Sequence, residues 1–301
     1  MDRYSLENNI TVIIVLYRED YNLLYKTLDK IRKFRKIIID NSNNIELKNK
    51  VEANFKIEKY ILNKNNIGFS SGYNQGVKLC ETDFFLILNP DCIIDYKSII
   101  KLHEKLVFNE DCFLTTPTSY DENNQFTYSS GLLPENGDMD FPIKVEGDIC
   151  VENTLGACMF LRKKDFIEIG LFDETYFIFF SDSNLCREIK KKNKHIIQVF
   201  DSRCIHSHGI SKVKNIFEKI YLKEHFFLLD KLHYFRKSDK NKDMMKVIIA
   251  KKNKYLLKIF FSLITMRFQR IVYYFAKYTA IFKYNNFLRK ISFRRLEQEK
   301  H

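Results

Sequence analysis

The sequence predicts an α/β protein with a doubly wound sheet, followed by a helical C-terminal extension. Short apolar, β-branched runs alternate with segments of helical periodicity from residue 10 to residue 88. The intervals between these runs are short enough for right-handed crossovers between parallel strands. Beyond residue 212 the apolar residues follow a helical pattern.

Each element of the first half follows from its residues. Strands are predicted at 10–17, 36–39, 57–62 and 84–88, where the chain is apolar and largely β-branched or aromatic. Helices are predicted at 20–34, 45–55 and 69–79. In the first helix, Leu24, Leu28 and Ile31 recur at helical spacing, and the basic end of the segment suits the helix dipole.

The second half has a looser pattern. Helices are predicted at 98–108, 163–169 and 184–192, and strands at 113–116, 154–162 and 196–200. Residues 118–150 are rich in loop residues, which is typical of a functional or mobile segment. We therefore expect an α/β domain over residues 1–212 and a helical region over residues 213–301.

The net charge of +12 is concentrated in the tail, because residues 251–301 contain 13 Lys and Arg against 2 Asp and Glu. This asymmetry predicts an anionic surface as a partner for the tail only. The seven cysteines are odd in number and include no Cys-x-x-Cys pair, which indicates a reducing compartment and neither disulfides nor zinc. The sequence contains no run of 18 uncharged apolar residues and no leader pattern, so we expect neither a transmembrane helix nor a signal peptide.

Two carboxylates follow predicted strands. Asp91 comes just after the run 84–88, which Asn89 and Pro90 interrupt, and the carboxyl edge of an open α/β sheet is where ligands bind. Asp40 ends the second strand, where it either accepts the N3–H of a uracil or thymine ring or forms a turn through its own side chain. Tyr17 either flanks the same ring or is a strand-end aromatic. Asp91 itself has the alternative of capping a turn.

A glycine-rich segment leads from the third strand into the helix at 69–79. Asn66, Gly68 and the small residues at 72–76 would let the backbone approach a nucleotide closely, with Asn74 as a polar contact. The alternative is close packing of the helix on the sheet. The chain contains neither Gly-x-Gly-x-x-Gly nor a P-loop motif, which argues against a dinucleotide site and excludes a P-loop site.

Seven short motifs occur in a consistent order. They are an apolar strand ending in Tyr17, IIIDNSN at 37–43, NIGFSSGYNQG at 66–76, LNPD at 88–91, GACMFLR at 156–162, IGLFDETYFIFFSD at 169–182 and HSHGIS at 206–211. Together they resemble glycosyltransferase family 2, and within it the rhamnosyltransferase-like enzymes of bacterial surface polysaccharides. The resemblance covers residues 10–212. It implies a GT-A fold, with a mixed sheet whose N-terminal half holds a nucleotide sugar and whose C-terminal half holds the acceptor.

The resemblance also implies roles for single residues. Asp91 and His206 would bind Mg²⁺ or Mn²⁺, held largely by the donor phosphates, because Asn89 replaces the first acid of the family's Asp-x-Asp motif. Tyr17, Asp40, Asn66, Gly68, Asn74 and Asn89 would bind the nucleotide. Asp182 would be the catalytic base, with Ser181 where the family has Glu; the alternative for Asp182 is a helix cap. A structural role is the alternative for His206, and His208 is the weaker metal candidate.

The tail between residues 246 and 295 is rich in Ile, Phe and Tyr, with Lys251, Lys254, Lys258, Arg270, Lys277 and Lys283 interspersed. These basic residues fall mostly on one half of a helix, which predicts an amphipathic helix on an anionic membrane surface. An oligomerisation or packing face is the alternative. The membrane contact fits an acceptor carried on a lipid diphosphate at the cytoplasmic leaflet.

The resemblance implies an inverting, metal-dependent hexosyltransferase, and the basic tail adds the expectation that it acts peripherally at the inner membrane face. The donor would be a UDP- or dTDP-sugar, with rhamnose as one candidate, and the acceptor a growing glycan in capsule, O-antigen or lipooligosaccharide synthesis. Three alternatives stay open. They are a UDP-hexose or UDP-hexosamine transferase of the same fold, a non-catalytic nucleotide-binding scaffold suggested by Asn89 and Ser181, and a nucleic-acid-binding protein. No binding module for nucleic acid accompanies the basic tail, so we expect no nucleic-acid partner.

Overall fold

The computed structural model describes residues 6–137, 146–207, 215–237 and 242–298, with side chains of 242–244 and 289–298 left undescribed. The chain divides into two compact units. The first comprises residues 1–174 and 181–212, and the second comprises residues 175–180 and 213–301. The short segment 175–180 thus belongs with the C-terminal residues rather than with its neighbours in sequence.

The first unit contains a nine-stranded mixed sheet and a two-stranded sheet. Its strands are β1 Ile10–Leu16, β2 Arg35–Asp40, β3 Lys59–Leu62, β4 Phe84–Leu88, β5 Cys92–Ile94, β6 Cys112–Tyr120, β7 Ser130–Gly131, β8 Ile149–Val151, β9 Asn153–Thr154, β10 Cys158–Arg162 and β11 His195–His206. The main path through the large sheet is β3-β2-β1-β4-β10-β6-β11-β5, with β8 paired to β11, and β7 pairs with β9 in the small sheet.

The helices of this unit are α1 Tyr21–Lys30, α2 Ile45–Asn54, α3 Gly68–Leu79, α4 Tyr96–Phe108, α5 Lys163–Glu168 and α6 Ser181–Lys191, and a 3-10 turn precedes β1 at Glu7–Asn9. Asp20, Asn44 and Asp95 cap the first, second and fourth helices by accepting from backbone N–H groups of the first turn. Two apolar clusters fill the interior of the unit and contain the buried residues of β1, β2 and β4.

The predicted order of strands and helices is confirmed. β1, β2, β3 and β4 are parallel neighbours, as the short crossovers require. Beyond β4 the sheet becomes mixed, because β10 runs antiparallel to both β4 and β6. The sequence did not predict β5 as a separate strand, and it ended the last strand at residue 200, whereas β11 continues to His206 through an irregularity near Val199.

The second unit is helical. Its helices are α7 Ile216–Arg236, α8 Lys242–Ala250, α9 Lys252–Ile264 and α10 Phe268–Gln298. Leu228, Leu229 and Leu232 of α7 pack against Ala280, Ile281 and Tyr284 of α10. Among the described residues, no helix is both long enough and apolar enough to cross a bilayer.

The prediction of one amphipathic helix over 246–295 is wrong. The chain breaks after Ala250 and again between Ile264 and Phe268, where Met266 has a φ of 51°. Lys277, expected on an outer basic face, instead lies 3.2 Å from Glu224 of α7 and donates to Tyr273. Its amino group is therefore used inside the helical unit.

Candidate active site

Several polar side chains that were predicted from the sequence as site residues lie at one edge of the large sheet. β4 and β6 both run antiparallel to β10, and β11 runs parallel to β6, so all three end at the edge where β1 and β2 also end. Asp40 ends β2, Asp91 follows β4, and His206 ends β11. The start of β10, just after Gly156, lies at the same edge because that strand is reversed.

Asp91 and His206 are brought together by the pairing of β5 with β11. His206 lies opposite Cys92 in this antiparallel pair, which places it beside Asp91. The His206 Nε2 and Asp91 Oδ1 atoms are 3.4 Å apart, and the two side chains are only 10% and 14% exposed. The backbone N–H of Ser207 also donates to the Asp91 carbonyl over 3.2 Å. The strand register thus makes one cluster of two residues that are 115 positions apart in the sequence.

This pair supplies two donor atoms suited to a metal ion. Two neighbouring ligands of an octahedral ion at about 2.1 Å are separated by about 3 Å, so a spacing of 3.4 Å is compatible with a shared cation. Within the described ranges, no group of three or more His, Cys, Asp and Glu side chains is arranged to hold a metal. His208 lies outside the described residues. A cation here would need further oxygen ligands from a bound molecule.

Asn89 fixes the chain between β4 and Asp91. Its backbone N–H donates to the carbonyl of Ala157 over 2.8 Å, and its side-chain oxygen accepts from the Tyr73 hydroxyl over 3.4 Å. Tyr73 also donates to the Leu88 carbonyl over 3.0 Å. Burial raises the pKa of Tyr73 well above its usual value, so the phenol stays protonated and remains a donor.

Asp182 lies in the first turn of α6 and is held by two backbone donors. Its Oδ2 accepts from the N–H of Gly156 over 2.8 Å, and its Oδ1 accepts from the N–H of Ser183 over 2.8 Å. Burial nevertheless raises the pKa of Asp182, and the hydrogen bonds oppose that shift. The Ser183 bond stays within the first helical turn, whereas the Gly156 bond reaches another segment, so Asp182 does more than cap its own helix.

A short path of hydrogen bonds joins the two acids. Asp182 accepts from Gly156, and the next residue, Ala157, accepts from Asn89, which lies two residues before Asp91. Both carboxylates are therefore positioned along the same edge of the sheet.

Gly156 allows the close approach that this path needs. A methyl group added there would lie 2.7 Å from Cζ of Phe69 and 3.5 Å from the Asp182 carboxylate. No role for Gly156 was predicted from the sequence, where it is only the first residue of the motif at 156–162. The signal was a glycine directly before a buried strand, which typically marks a close backbone contact.

Ser181 occupies the position where the resembled family has Glu. Its hydroxyl forms a buried hydrogen bond with the hydroxyl of Ser70 in α3. This neutral pair exerts no like-charge repulsion on Asp182. The shift in the pKa of Asp182 that a neighbouring Glu would cause is here caused by burial.

Asp40 is enclosed by its own loop. Its carboxylate accepts from the N–H and the hydroxyl of Ser42 over 2.7 and 2.5 Å, and from Tyr60 over 3.3 Å. The residue is fully buried. This is the turn-forming role that the sequence left open, and a direct contact with a base would require the loop to move.

Tyr17 is half-buried beside that loop. The guanidinium of Arg18 lies 5.1 Å from the centre of the Tyr17 ring, and the N–H of Arg18 donates to the Ser42 hydroxyl over 3.2 Å. The loops after β1 and β2 are therefore tied together through Ser42.

Asn66 and Gly68 form the entry to α3. The Asn66 side chain accepts from the N–H of Gly68 over 2.9 Å, and Gly68 has a φ of +87°, which favours glycine. Farther along the helix, Gly72 and Gly76 lie against β1, because added methyl groups would approach Val15 and Ile13 to 2.9 and 2.4 Å. The small residues at 72–76 thus serve packing, the alternative that the sequence allowed.

Asn74, predicted from the sequence to contact the nucleotide, makes its contacts within the protein. Its amide nitrogen donates to the carbonyl of Phe172 and to the Glu174 carboxylate, both over 2.9 Å, and its oxygen accepts from the Phe172 N–H over 3.0 Å. Asn74 is 1% exposed. Both of its N–H donors are used within the protein, so it fixes the segment 172–174 instead.

Asn41 is a second residue whose role was not predicted from the sequence. Its backbone N–H donates to Leu16 over 2.8 Å, and its side chain donates to the carbonyl of Gly68 over 3.1 Å and accepts from Asn63 over 2.9 Å. It therefore joins the ends of β1 and β3 to the start of α3. An Asn directly after a strand-ending Asp was the available signal.

Comparison with known proteins gives a consistent picture. The profile of the family described as glycosyl transferase family 2 matches residues 11–170, just over half of the chain. The chain is 25% identical over 234 residues to the low-salt glycan biosynthesis hexosyltransferase Agl10 of Haloferax volcanii, covering 72% of each protein. It is 22% identical over 216 residues to the dTDP-rhamnosyl transferase RfbF of Shigella flexneri, covering 69% of this chain and 72% of that protein.

A solved structure shares the fold. The crystal structure of GalNAc-T7 with UDP, GalNAc and Mn²⁺ superposes with a TM-score of 0.57 at 15% identity, covering 79% of this chain. The chain spans about half the length of that protein, with 53% covered. The expected GT-A fold is thereby confirmed for this chain.

Proposed function

The chain belongs to glycosyltransferase family 2, and we propose that it transfers a hexose from a nucleotide diphosphate to a glycan acceptor with inversion at the anomeric carbon. The observation that supports the proposal is that Gly156, just before β10, donates to Asp182 near the sheet edge where Asp91 and His206 lie 3.4 Å apart. Rhamnose is the proposed sugar, because RfbF is a dTDP-rhamnosyl transferase.

Asp182 is the proposed general base. In a single displacement, its carboxylate takes the proton of the acceptor hydroxyl while the hydroxyl oxygen attacks the anomeric carbon and the bond to the diphosphate breaks. A raised pKa makes the carboxylate a stronger base than an exposed Asp. The N–H groups of Gly156 and Ser183 fix the orientation of the carboxylate that would accept the proton.

Asp91 and His206 are proposed to hold Mg²⁺ or Mn²⁺ together with the donor phosphates. Such a cation neutralises the charge that develops on the departing diphosphate. One carboxylate and one imidazole bind a divalent cation weakly, so we expect the metal to bind together with the nucleotide. The Mn²⁺ of the GalNAc-T7 structure supports a divalent metal in this fold.

The remaining residues are proposed to shape the nucleotide site. Tyr17 would flank the base, and the Asp40 loop would supply hydrogen-bonding groups next to it. Asn66 and Gly68 hold the entry to α3, and the start of a helix is a position that favours an anion such as a phosphate. Asn89 would position the phosphates next to Asp91.

The acceptor is proposed to be a growing glycan on a lipid carrier in the synthesis of a surface polysaccharide. The basic C-terminal unit would then bind the anionic inner face of the cytoplasmic membrane, where such an acceptor is found. The support is the excess of Lys and Arg in the tail, which remains after Lys277 is set aside.

A donor panel tests the activity. UDP-, dTDP- and GDP-sugars are incubated with the full chain, Mn²⁺ and a lipid-linked glycan, and the product is followed by chromatography and its anomeric configuration by NMR. Transfer is expected to fall 10²- to 10⁴-fold in D182N, as for loss of a general base. D111N is the matched control, because Asp111 is 71% exposed and pairs with Lys194 before β6. Absence of transfer with every donor, or D182N activity equal to that of D111N, would overturn the proposal.

A further inference from the structure

Helix α9 carries its apolar face on the outside. Leu256, Leu257, Phe260, Phe261 and Ile264 recur at the spacing of one helix face and are 45–63% exposed. A helix of a water-soluble unit normally turns such a face inward. The apolar side chains of α9 therefore face away from the core of the second unit.

The opposite face of α9 makes its contacts with α10. The Tyr255 ring stacks on that of Tyr274 at 6.1 Å, and the ammonium of Lys258 lies 4.9 Å from the centre of the same Tyr274 ring. Ser262 is buried and donates to the Lys258 carbonyl over 2.6 Å. Because this polar and aromatic face is already packed, the orientation of α9 is set by contacts within the unit.

The turn after α9 extends the exposed surface. Met266 and Phe268 are 72% and 57% exposed. The turn is closed by backbone hydrogen bonds, including Arg267 N–H to the Ser262 carbonyl over 2.9 Å. With the face of α9, these large apolar side chains, each about half exposed or more, form an extended exposed apolar surface of the kind that marks an interaction site. We call residues 256–268 the apolar tip.

The charge around the apolar tip limits what can cover it. Residues 244–296 contain 13 Lys and Arg and no Asp or Glu. Arg267 and Arg270 are exposed at the turn itself. A partner must therefore offer both negative charge and an apolar interior. A second copy of this basic region would bring like charges together, and a nucleic acid would leave the Phe and Leu side chains in water.

We propose that the apolar tip inserts into the headgroup and acyl boundary of an anionic phospholipid bilayer, with the flanking Lys and Arg on the lipid phosphates. This inference rests on the proposed function, which gives the C-terminal unit a membrane contact. It assigns that contact to the apolar tip. Apolar insertion supplies the binding that survives high salt, and each basic residue near the surface strengthens binding about fivefold at low salt.

The chain contains no tryptophan, so the emission of a single introduced tryptophan reports only on its own position. Full-length F261W is titrated with vesicles of phosphatidylcholine alone and of phosphatidylcholine with 30% phosphatidylglycerol, and emission is recorded. A blue shift with the anionic vesicles and quenching by lipids brominated on the acyl chain are expected. F108W is the matched control, since Phe108 is 83% exposed on α4 of the first unit, and its emission should not change.

A second variant removes the surface itself. F260S/F261S/I264S alters only exposed side chains, so its circular dichroism should match that of the wild type, while the fraction floating with anionic vesicles should fall at least tenfold. An unchanged F261W emission, equal quenching of F108W, or full flotation of the triple variant would overturn the inference. A blue shift that rises with protein concentration in the absence of lipid would instead assign the surface to a second copy, and would also overturn it.

These outcomes are separate from those that test the activity. Vesicle binding by F261W in a protein without sugar transfer would refute the proposed function and leave the membrane inference standing. Sugar transfer to a water-soluble acceptor by a protein that does not bind vesicles would refute the membrane inference and leave the proposed transferase activity standing.

Discussion

The buried Asn74 gives the sharpest test of how the hydrogen bonds around the candidate site divide between structure and ligand binding. Its three hydrogen bonds clamp the backbone of Phe172 and the side chain of Glu174. Replacing Asn74 with Ala leaves the N–H and carbonyl of Phe172, a buried residue, without these partners. No comparable loss would follow from deleting a side chain that faces a nucleotide.

The cost of N74A can be worked out from these contacts. A buried backbone group without a partner costs about 1–3 kcal/mol, and two such groups give about 2–6 kcal/mol. Glu174 is exposed, and water replaces the donor that it loses. The loss of this hydrogen bond therefore adds nothing to the cost in free energy of unfolding. For a unit of about 200 residues this corresponds to a fall in melting temperature of roughly 4–24 °C.

The assay is urea unfolding followed by circular dichroism, with nucleotide binding measured by calorimetry on the same samples. N74A is expected to lower the free energy of unfolding by that amount and to change nucleotide affinity less than twofold at a temperature where it is folded. N65A, at an exposed position before α3, serves as the control and should change neither quantity. A variant that is as stable as the wild type but binds nucleotide ten times more weakly would refute this account of Asn74.

Three further predictions concern Asp182 and Gly156 in the first unit and Asp230 in the second. Activity should be lost at acid pH as Asp182 takes up a proton, at a pH above that for an ordinary Asp because burial raises its pKa, and kcat/KM profiles measure this. G156A should destabilise the chain by about 1–3 kcal/mol, since Phe69 must move from 2.7 Å, and a urea midpoint equal to that of the wild type would contradict this. Asp230, buried in α7, accepts from the N–H groups of residues 177–179, and burial raises its pKa to about 6. Its folded-state pKa exceeds the unfolded value of 3.8, so its contribution to the free energy of unfolding should decline by on the order of 2 kcal/mol between pH 4 and 6. Urea unfolding at several pH values should show this slope in the wild type and not in D230N.

Much of the first unit could be predicted from local sequence. Buried parallel strands are short β-branched runs, and helices repeat their apolar residues every three or four positions, so both patterns are visible without tertiary contacts. The run 84–88 correctly indicated a central strand with Asp91 at its carboxyl end, because Pro90 interrupts pairing after β4.

The partners of the site residues could not be predicted in the same way. Asp91 meets His206 only because β5 pairs with β11 in one register, and a slip by one residue would turn the side chains to the other face. The bond from Asp182 to Gly156 likewise depends on how α6 packs beside β10. Asn74 looked like a ligand residue because a polar side chain in a glycine-rich segment has the same local signature whether it binds a nucleotide or a neighbouring loop.

The C-terminal tail also has some features that the sequence determines and others that only tertiary contacts determine. Its excess of Lys and Arg and its apolar content are fixed by composition alone. Which residues face outward was decided by the break near Met266 and by the packing of Tyr255 on Tyr274, which together turn the Phe and Leu side chains of α9 to solvent. Periodicity identifies a helix and its faces, but only contacts between distant segments determine which face is buried, because that choice minimises the free energy of the whole unit rather than of the helix alone.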